Sequence, residues 1–514
     1  MNAQPTFSDA PVLLSPGAEC PLPQASTRYV APLVRKLCRE LRAQDIAYCH
    51  WKSNAALDRS AAALNDLDLL VSRAHVQLFS SVLYRLGFKQ FQPPFDRKLP
   101  GVLDYYGYDE EADRIIHVHA HYQLVVGHDA TKNYRIPVEE PYLESAVEQG
   151  LFRVPAPAFE YLLLVLRMVL KHSTWENILL RQGTLSCGEL DELEYLERLG
   201  ARDALPPILH EHLPCVSDQL FAECLASLRP GRSLWFRIRT GHRLLRALRT
   251  HARRSRLSDL GLKLWRRLHW GLERRLLARE RGMRPASGGM VVAIVGGDGS
   301  GKTTAVNALS SWLSADFETL KLHMGKPRWS CATIAVRSIL KIGRTLGLYP
   351  FMRAPEVYTS DRSAVVFPGY PWLIREMCTA RDRCLTYIRA RRFAARGGLA
   401  ITDRFPLPQI QFMDGPQGER MTGTCKGNRF LPRLIEIERR YYEGIAPPDL
   451  LIVLRADPEI AVRRKTTESA DSVRARSGEI WNIDWQSTRA HVVDAGRSPT
   501  EVLSEIKRII WSHL

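Results

Sequence analysis

The apolar positions of the chain change period several times, and the changes mark its elements. Val30, Leu33, Val34, Leu37 and Leu41 recur at helical spacing. So do the apolar residues of AFEYLLLVLRMVLKH and CGELDELEYLERLG between Pro157 and Leu228. Asp66–Val71 (DLDLLV) and the run IIHVHAHYQL from Ile115 have the alternation and length of strands. From Met290 onward, strand-like and helix-like runs take turns. MVVAIV (Met290–Val295) precedes the helical run AVNALSSWL, and Phe317–Gly325 reads as a second strand. A helix, a Gly397-Gly398 turn and a buried strand fill Arg389–Phe405. Pro447–Lys465 is a strand running into a helix at Pro458, and His491–Trp511 is a short strand and a terminal helix capped at Ser498. Such alternation predicts an α/β unit, a parallel sheet with helices on both faces.

The same pattern sets the expected organisation. Residues 1–30, rich in Pro, Ser, Ala and Gln, show no period and read as a disordered tail. An α+β domain is expected over 31–150, a helical subdomain over 151–228, a basic helical linker over 229–289 and the α/β domain over 290–514. Pro285–Gly289 reads as a flexible boundary.

Charge changes this picture at one place. The formal charge is +17, but Arg229–Arg284 alone holds 18 Lys/Arg against three acids, so +15 falls in the linker and about +2 elsewhere. Its leucines (Leu244, Leu245, Leu248, Leu257, Leu260, Leu264, Leu268) keep helical spacing, with Trp235, Trp265 and Trp270 interleaved. Three readings fit: an amphipathic pair on an anionic membrane surface, a nucleic-acid contact, or arginines seated on acidic faces of neighbouring domains. The ten cysteines include no CxxC pair, no secretory signal is read at the start, and no apolar run reaches the ~18 residues of a spanning helix. A cytoplasmic protein is expected, peripheral at the inner face of the membrane if the linker meets lipid.

The candidate chemistry begins with GGDGSGKTT, Gly296–Thr304, between a strand and a helix. Gly296, Gly301, Lys302 and Thr303 fill GxxxxGK[ST]. Glycines let backbone N–H groups turn onto phosphates, the helix start adds its positive end, Lys302 would bridge the β- and γ-phosphates, and Thr303 would hold Mg²⁺. In the N-terminal region, Asp66 and Asp68 would share one strand face and could hold a divalent cation; a solvated strand face fits equally. His117, His119 and His121 share a face of the next strand, either as a transition-metal trio or as histidines facing solvent or an acid.

GGDGSGKTT, ITDRF, PPDLLIVL…DPEIAVRRK and VVDAGRSPTEVLSEI, in this order, resemble the thymidylate kinase family of P-loop nucleoside-monophosphate kinases over about 225 residues. The resemblance implies an ATP site with Mg²⁺ as cofactor. Gly296, Asp298, Gly299, Ser300, Gly301, Lys302, Thr303 and Thr304 would form the phosphate loop. Asp403 would assist the metal and Arg404 would contact the acceptor phosphate, though a strand-end ion pair also explains Asp403-Arg404. Arg464, Arg474 and Arg476 occupy the place of the mobile lid, and Asp494-Ala495-Gly496 that of the adenine turn. A Met413-Asp414-Gly415-Pro416 turn stands where the thymine-gripping element usually lies. Arg337, Lys341, Arg375, Arg381 and Arg383 are available for an acceptor phosphate.

WKSN, DLDLLV, a helix and IIHVHAHYQL resemble, in order, the minimal nucleotidyltransferase superfamily. Lys52-Ser53 stands in place of its Gly-Ser pair, and His117 in place of its third acid. The expected function is ATP-dependent phosphoryl transfer to a nucleoside monophosphate, thymidylate by resemblance, or a related phosphorylated acceptor. The alternatives are a nucleotidyltransferase with a regulatory P-loop domain and a nucleotide-gated assembly factor at a membrane surface. Expected partners are ATP, a small phosphorylated acceptor, an anionic membrane or nucleic acid at the linker, and a second copy of the chain.

Overall fold

The computed structural model describes residues 29–175, 185–272, 282–349, 369–418 and 430–514. The predicted tail lies outside these residues up to position 28.

The N-terminal domain is built on a mixed six-stranded sheet in the order β1 (Tyr48–His50), β2 (Leu67–Val71), β5 (Arg114–His121), β4 (Val102–Asp109), β3 (Lys89–Gln92) and β10 (Arg284–Pro285). Only β2 and β5 run parallel. Alternation along β5 explains its two faces. Ile116, Val118 and Ala120 enter a core with Leu67, Leu69 and Val71 and the helices Pro32–Ala43 and Val76–Arg85, which leaves the three histidines on the other face. Two short hairpins, β6 (Val125–Val126) with β7 (Tyr134–Arg135) and β8 (Val147–Gln149) with β9 (Phe152–Val154), flank the sheet.

The helical region packs around Pro157–His172, which is buried along nearly its whole length. Leu244 and Leu248, assigned to the linker by the sequence, lie in this same core, so the first basic helix, Leu234–Ala247, is part of the bundle. The second, Arg256–Leu272, lies on the N-terminal domain with its polar side inward. Lys263 and Arg266 are buried, and Arg266 donates to the Ala130 carbonyl, while Leu257, Leu264, Trp265, Leu268 and Leu272 are exposed.

The C-terminal domain has the expected α/β architecture. Five parallel strands run in the order β12 (Thr319–His323), β13 (Leu399–Asp403), β11 (Met290–Gly296), β14 (Leu450–Arg455), β15 (Ala490–Asp494). The central strands are continuous apolar runs because helices cover both faces. Val292 and Ile294 pack under the helices Lys302–Ser314 and Pro499–His513, and Ala293 and Val295 face Tyr387 and Ile480 on the other side.

The two sheets share a core. Phe91, Tyr106 and Tyr108 of the N-terminal sheet join Phe317 and Trp511 in one buried cluster, with Phe91 stacked on Phe317 at 4.3 Å. Lys507 pairs with Asp113 at 2.6 Å, and Trp511 Nε1 donates to the Gly87 carbonyl. Pro285, the first residue of the stretch expected to be a flexible boundary, belongs to β10, which closes the N-terminal sheet edge against β3.

Candidate functional site

The phosphate loop leaves β11 at Gly296, and the helix Lys302–Ser314 starts directly after Gly301, whose φ of 82° is the left-handed conformation glycine tolerates. A side chain at Gly297 would strike Ser477, and one at Gly299 would strike Ala461. The loop is thus pressed against two helices, Pro458–Arg464 and Ala470–Asn482, in the stretch expected to be a lid. Ser300 Oγ donates to the Gly297 carbonyl at 2.8 Å, and Ser477 Oγ to the Asp298 carbonyl at 3.0 Å.

Asp298 is the one acid inside the loop, and it is buried. Arg476 lies 2.6 Å from its carboxylate, Lys465 3.1 Å and Arg404 3.4 Å. Burial works to raise this carboxyl, but Arg476, Lys465 and Lys302 hold it below its ordinary value. Lys302 is also buried and donates to the Gly297 carbonyl at 2.5 Å. Burial, and then the Arg404 guanidinium, brings its ammonium down to about 8.

Thr303 Oγ1 donates to Asp403 Oδ2 at 3.5 Å, while Asp403 Oδ1 is buried with no hydrogen-bond partner. A carboxylate with one orphaned oxygen beside a loop hydroxyl is a donor set suited to Mg²⁺, which prefers oxygen. Arg404 follows β13 with φ 56°, a left-handed turn uncommon for a side chain of its size, and this returns its guanidinium to the loop. Thr304 is exposed on the first helical turn.

The three arginines expected of a lid part company. Arg476 reaches Asp298. Arg464 donates to the Ala495 carbonyl at 2.8 Å, joining its helix to the turn in which Asp494 Oδ1 accepts from the Gly496 N–H. Arg474 pairs instead with Glu459 at 2.7 Å and Asp471 at 3.2 Å on the exposed surface. Lys465, which the sequence reading passed over, takes the place at the loop expected for Arg474. Arg383, one of the expected acceptor cations, is spent on structure. It donates to the Met324, Gly325 and Asp414 carbonyls and to Tyr442, and pairs with the Asp414 carboxylate at 3.2 Å, anchoring the Met413–Pro416 turn. Asp414 also lies 4.0 Å from Arg404.

A second polar cluster lies on the open face of the N-terminal sheet. Register sets Asp68 on β2, His119 on β5 and Asp104 on β4 side by side. Asp66 precedes β2 and is largely exposed. It lies 3.1 Å from His117 Nδ1, whose Nε2 is 3.0 Å from Asp104. Asp68 Oδ1 lies 2.8 Å from Lys52 Nζ and 3.2 Å from His119 Nδ1. Asp66 and Asp68 therefore engage different histidines. The additional carboxylate, Asp104, comes from the neighbouring strand, where the only signal was an acid within the aromatic run of β4. The WKSN loop is held from the helical bundle: Glu160 accepts from Asn54 N and Nδ2, and Glu192 accepts from Ser53 N at 2.9 Å. Ser53 adopts φ 59°, a conformation that favours glycine. Burial raises the Glu160 carboxyl to about 7.

No protein-family model matches the chain. It is 27% identical over 229 residues to the uncharacterized ATP-binding protein YghR of Escherichia coli K12, covering 43% of this chain and 86% of that protein. It is also 27% identical over 231 residues to the uncharacterized ATP-binding protein YghS of the same strain, covering 44% of this chain and 93% of that protein. Among solved structures, a thymidylate kinase from Candida albicans is similar at 17% identity, covering 44% of this chain and 94% of that one with a TM-score of 0.28.

Proposed function

We propose that the C-terminal domain transfers the γ-phosphoryl group of ATP to a small phosphorylated acceptor, with thymidylate as the acceptor implied by the family resemblance. The observation that carries the reading is the convergence of Arg404, Lys465 and Arg476 on Asp298, beside Lys302, within a glycine loop that opens a helix. Such a loop binds phosphate oxygens through its N–H groups and the helix end. The two bacterial relatives bear names that say ATP-binding, in keeping with this reading.

Phosphoryl transfer is chiefly positioning and charge neutralisation. A bond forms from an acceptor oxygen to the γ-phosphorus as the bond to the β–γ bridging oxygen breaks, and ADP leaves. In this reading Lys302 holds the β- and γ-oxygens, Arg476 and Lys465 turn from Asp298 to the phosphates, and Arg404 orients the acceptor. Arg464 and the Asp494 turn border the adenine. Thr303 and Asp403 would hold Mg²⁺, which would supply neutralisation of phosphate charge. A cavity of about 470 Å³ between the helices Cys331–Thr345 and Tyr370–Ala394 is lined by Arg337, Lys341, Arg344 and Arg375 with Trp329 and Trp372, which suits an anionic acceptor with an aromatic body. The test is ADP release from Mg²⁺-ATP against nucleoside and deoxynucleoside monophosphates, nucleosides and sugar phosphates, with Lys302→Ala alongside. Turnover that survives Lys302→Ala, or is lost in Asp68→Asn, sinks the reading and favours the nucleotidyltransferase alternative.

One observation favours a peripheral membrane site in addition. The helix Arg256–Leu272 turns Leu257, Trp265 and Leu268 to solvent within the most basic part of the chain. No helix among the described residues is long and apolar enough to cross a membrane. Leu257→Ser with Leu268→Ser should abolish co-sedimentation with anionic vesicles, and salt should weaken it in the unsubstituted chain. Unaltered vesicle binding in the double variant removes this site.

A further inference from the structure

The cluster on the open face of the N-terminal sheet plays no part in the phosphoryl-transfer reading, and its geometry is that of a ligand set. Three lone-pair atoms converge. Asp68 Oδ1 is 3.2 Å from His119 Nδ1 and 3.7 Å from His121 Nε2, and the two imidazole nitrogens are 3.3 Å apart. Bonds of ~2.0–2.1 Å at tetrahedral angles separate donors by ~3.3–3.4 Å. The octahedral arrangement of Mg²⁺, with bonds of the same length, would bring neighbouring donors to ~2.9 Å and would call for oxygen donors throughout. We propose that Asp68, His119 and His121 form a binding site for one divalent transition-metal ion of zinc type, with a fourth, open position.

The surroundings support the assignment. Asp68 and His121 are buried, so neither nitrogen nor carboxylate is there to meet bulk water. His119 presents Nδ1 to the set, and its other nitrogen, Nε2, lies 3.7 Å from Asp104, beyond hydrogen-bond length but near enough for the carboxylate to act on the imidazole as a charge. The ring of Trp51 packs edge-on against His121 at 5.0 Å and covers that side. His117 stands apart because both of its nitrogens are taken by carboxylates, Asp66 at 3.1 Å and Asp104 at 3.0 Å. The histidine trio of the sequence thus divides into two ligands and one bridge. A cavity of about 290 Å³ reaches the set at His119 and is also lined by Asp104, Lys132 and Arg266, which gives the open position an outlet toward an anionic or water ligand. In the metal-free chain the positive charge at Asp68 Oδ1 is supplied by Lys52 at 2.8 Å. Metal binding exchanges that ammonium for the ion, so Lys52 competes with it.

The inference is independent of the P-loop reading, and its test needs no turnover. The full-length, tag-free protein is stripped with a chelator and titrated with Zn²⁺, and separately with Co²⁺ followed by its visible spectrum. Expected are one equivalent bound per chain and the intense bands of tetrahedral cobalt. His121→Ala and Asp68→Asn should abolish this equivalent, and Asp104→Asn should weaken it by less than either. His117→Gln should keep it, and Lys52→Met should tighten it. The Asp68→Asn change preserves shape and His119→Gln alters a half-buried position, so these two report even if His121→Ala fails to fold. A chain that binds no equivalent of zinc overturns the proposal. So does binding indifferent to Asp68→Asn and His119→Gln, or a weak octahedral cobalt spectrum.

Discussion

The two polar clusters differ in composition. At the P-loop, Arg404, Lys465 and Arg476 converge on the buried Asp298, Glu468 also pairs with Lys465 and Arg476, and the buried Asp403 and Asp414 act on Lys302. On the N-terminal sheet, Asp66, Asp68 and Asp104 interleave with three histidines; Lys52 pairs with Asp68, and His117, whose pKa burial would lower, is raised to about 9 by Asp104 and Asp66. In the readings proposed above, an anionic ligand would compete with Asp298 for its three cations, and a metal ion would displace Lys52 from Asp68.

The sharpest way to break this comparison is at Lys302. Lys302→Ala is expected to lower kcat by roughly 10²–10³-fold, the scale for losing one preorganised donor at developing charge, as read by ADP release. Next in size is a pH effect. Because burial and Arg404 bring the free Lys302 to about 8, it is charged below that pH and loses its proton above it. A bound phosphate favours the charged form, so nucleotide affinity should be level below about pH 8 and fall by up to about tenfold per unit above it. Titrations of Kd from pH 6.5 to 9.5 check the sign, and affinity that rises with pH contradicts it.

Smaller shifts come from removing Asp298 or Lys52. Asp298→Asn takes away the buried carboxylate shared by Arg404, Lys465 and Arg476 and should lower the melting temperature of the free protein by a few degrees, at about 2–4 °C per kcal/mol. Pyrophosphate should restore it, and zinc should not. Lys52→Met should show the reverse pattern. If one ligand rescues both variants, the two clusters do not take ligands of opposite charge. The smallest expected effect is at Arg474→Ala. Its guanidinium pairs with Glu459 and Asp471 at the surface, so turnover and melting temperature should both stay within error.

The parts of the molecule that could be read from sequence are those whose chemistry is contiguous. The phosphate loop occupies one unbroken stretch, and the strand before it and the helix after it follow from period alone. Asp104 was not legible because its place beside His119 is set by the pairing of β4 with β5, which no local pattern encodes. The stretch expected to be a lid shows a second limit. Arg474 and Arg476 sit two residues apart on one helix and so point roughly 200° apart, and only one of them can face the loop. Composition told neither which one nor that Lys465 would join it. The basic stretch shows a third. Leucine spacing predicts a helix but not which side turns inward. Between Arg256 and Leu272 the polar side does, because Arg266 satisfies the Ala130 carbonyl and Trp270 donates to Asp96.

The aromatic seam between the sheets bears on how the chain can be divided. A gene fragment encoding only the first half would leave Phe91 and Tyr108 bare and the β3 edge unpaired. One encoding only the second half would bare Phe317 and Trp511. Either piece would carry a sticky face, so a half produced alone needs other side chains to cover Phe91, or Phe317 and Trp511.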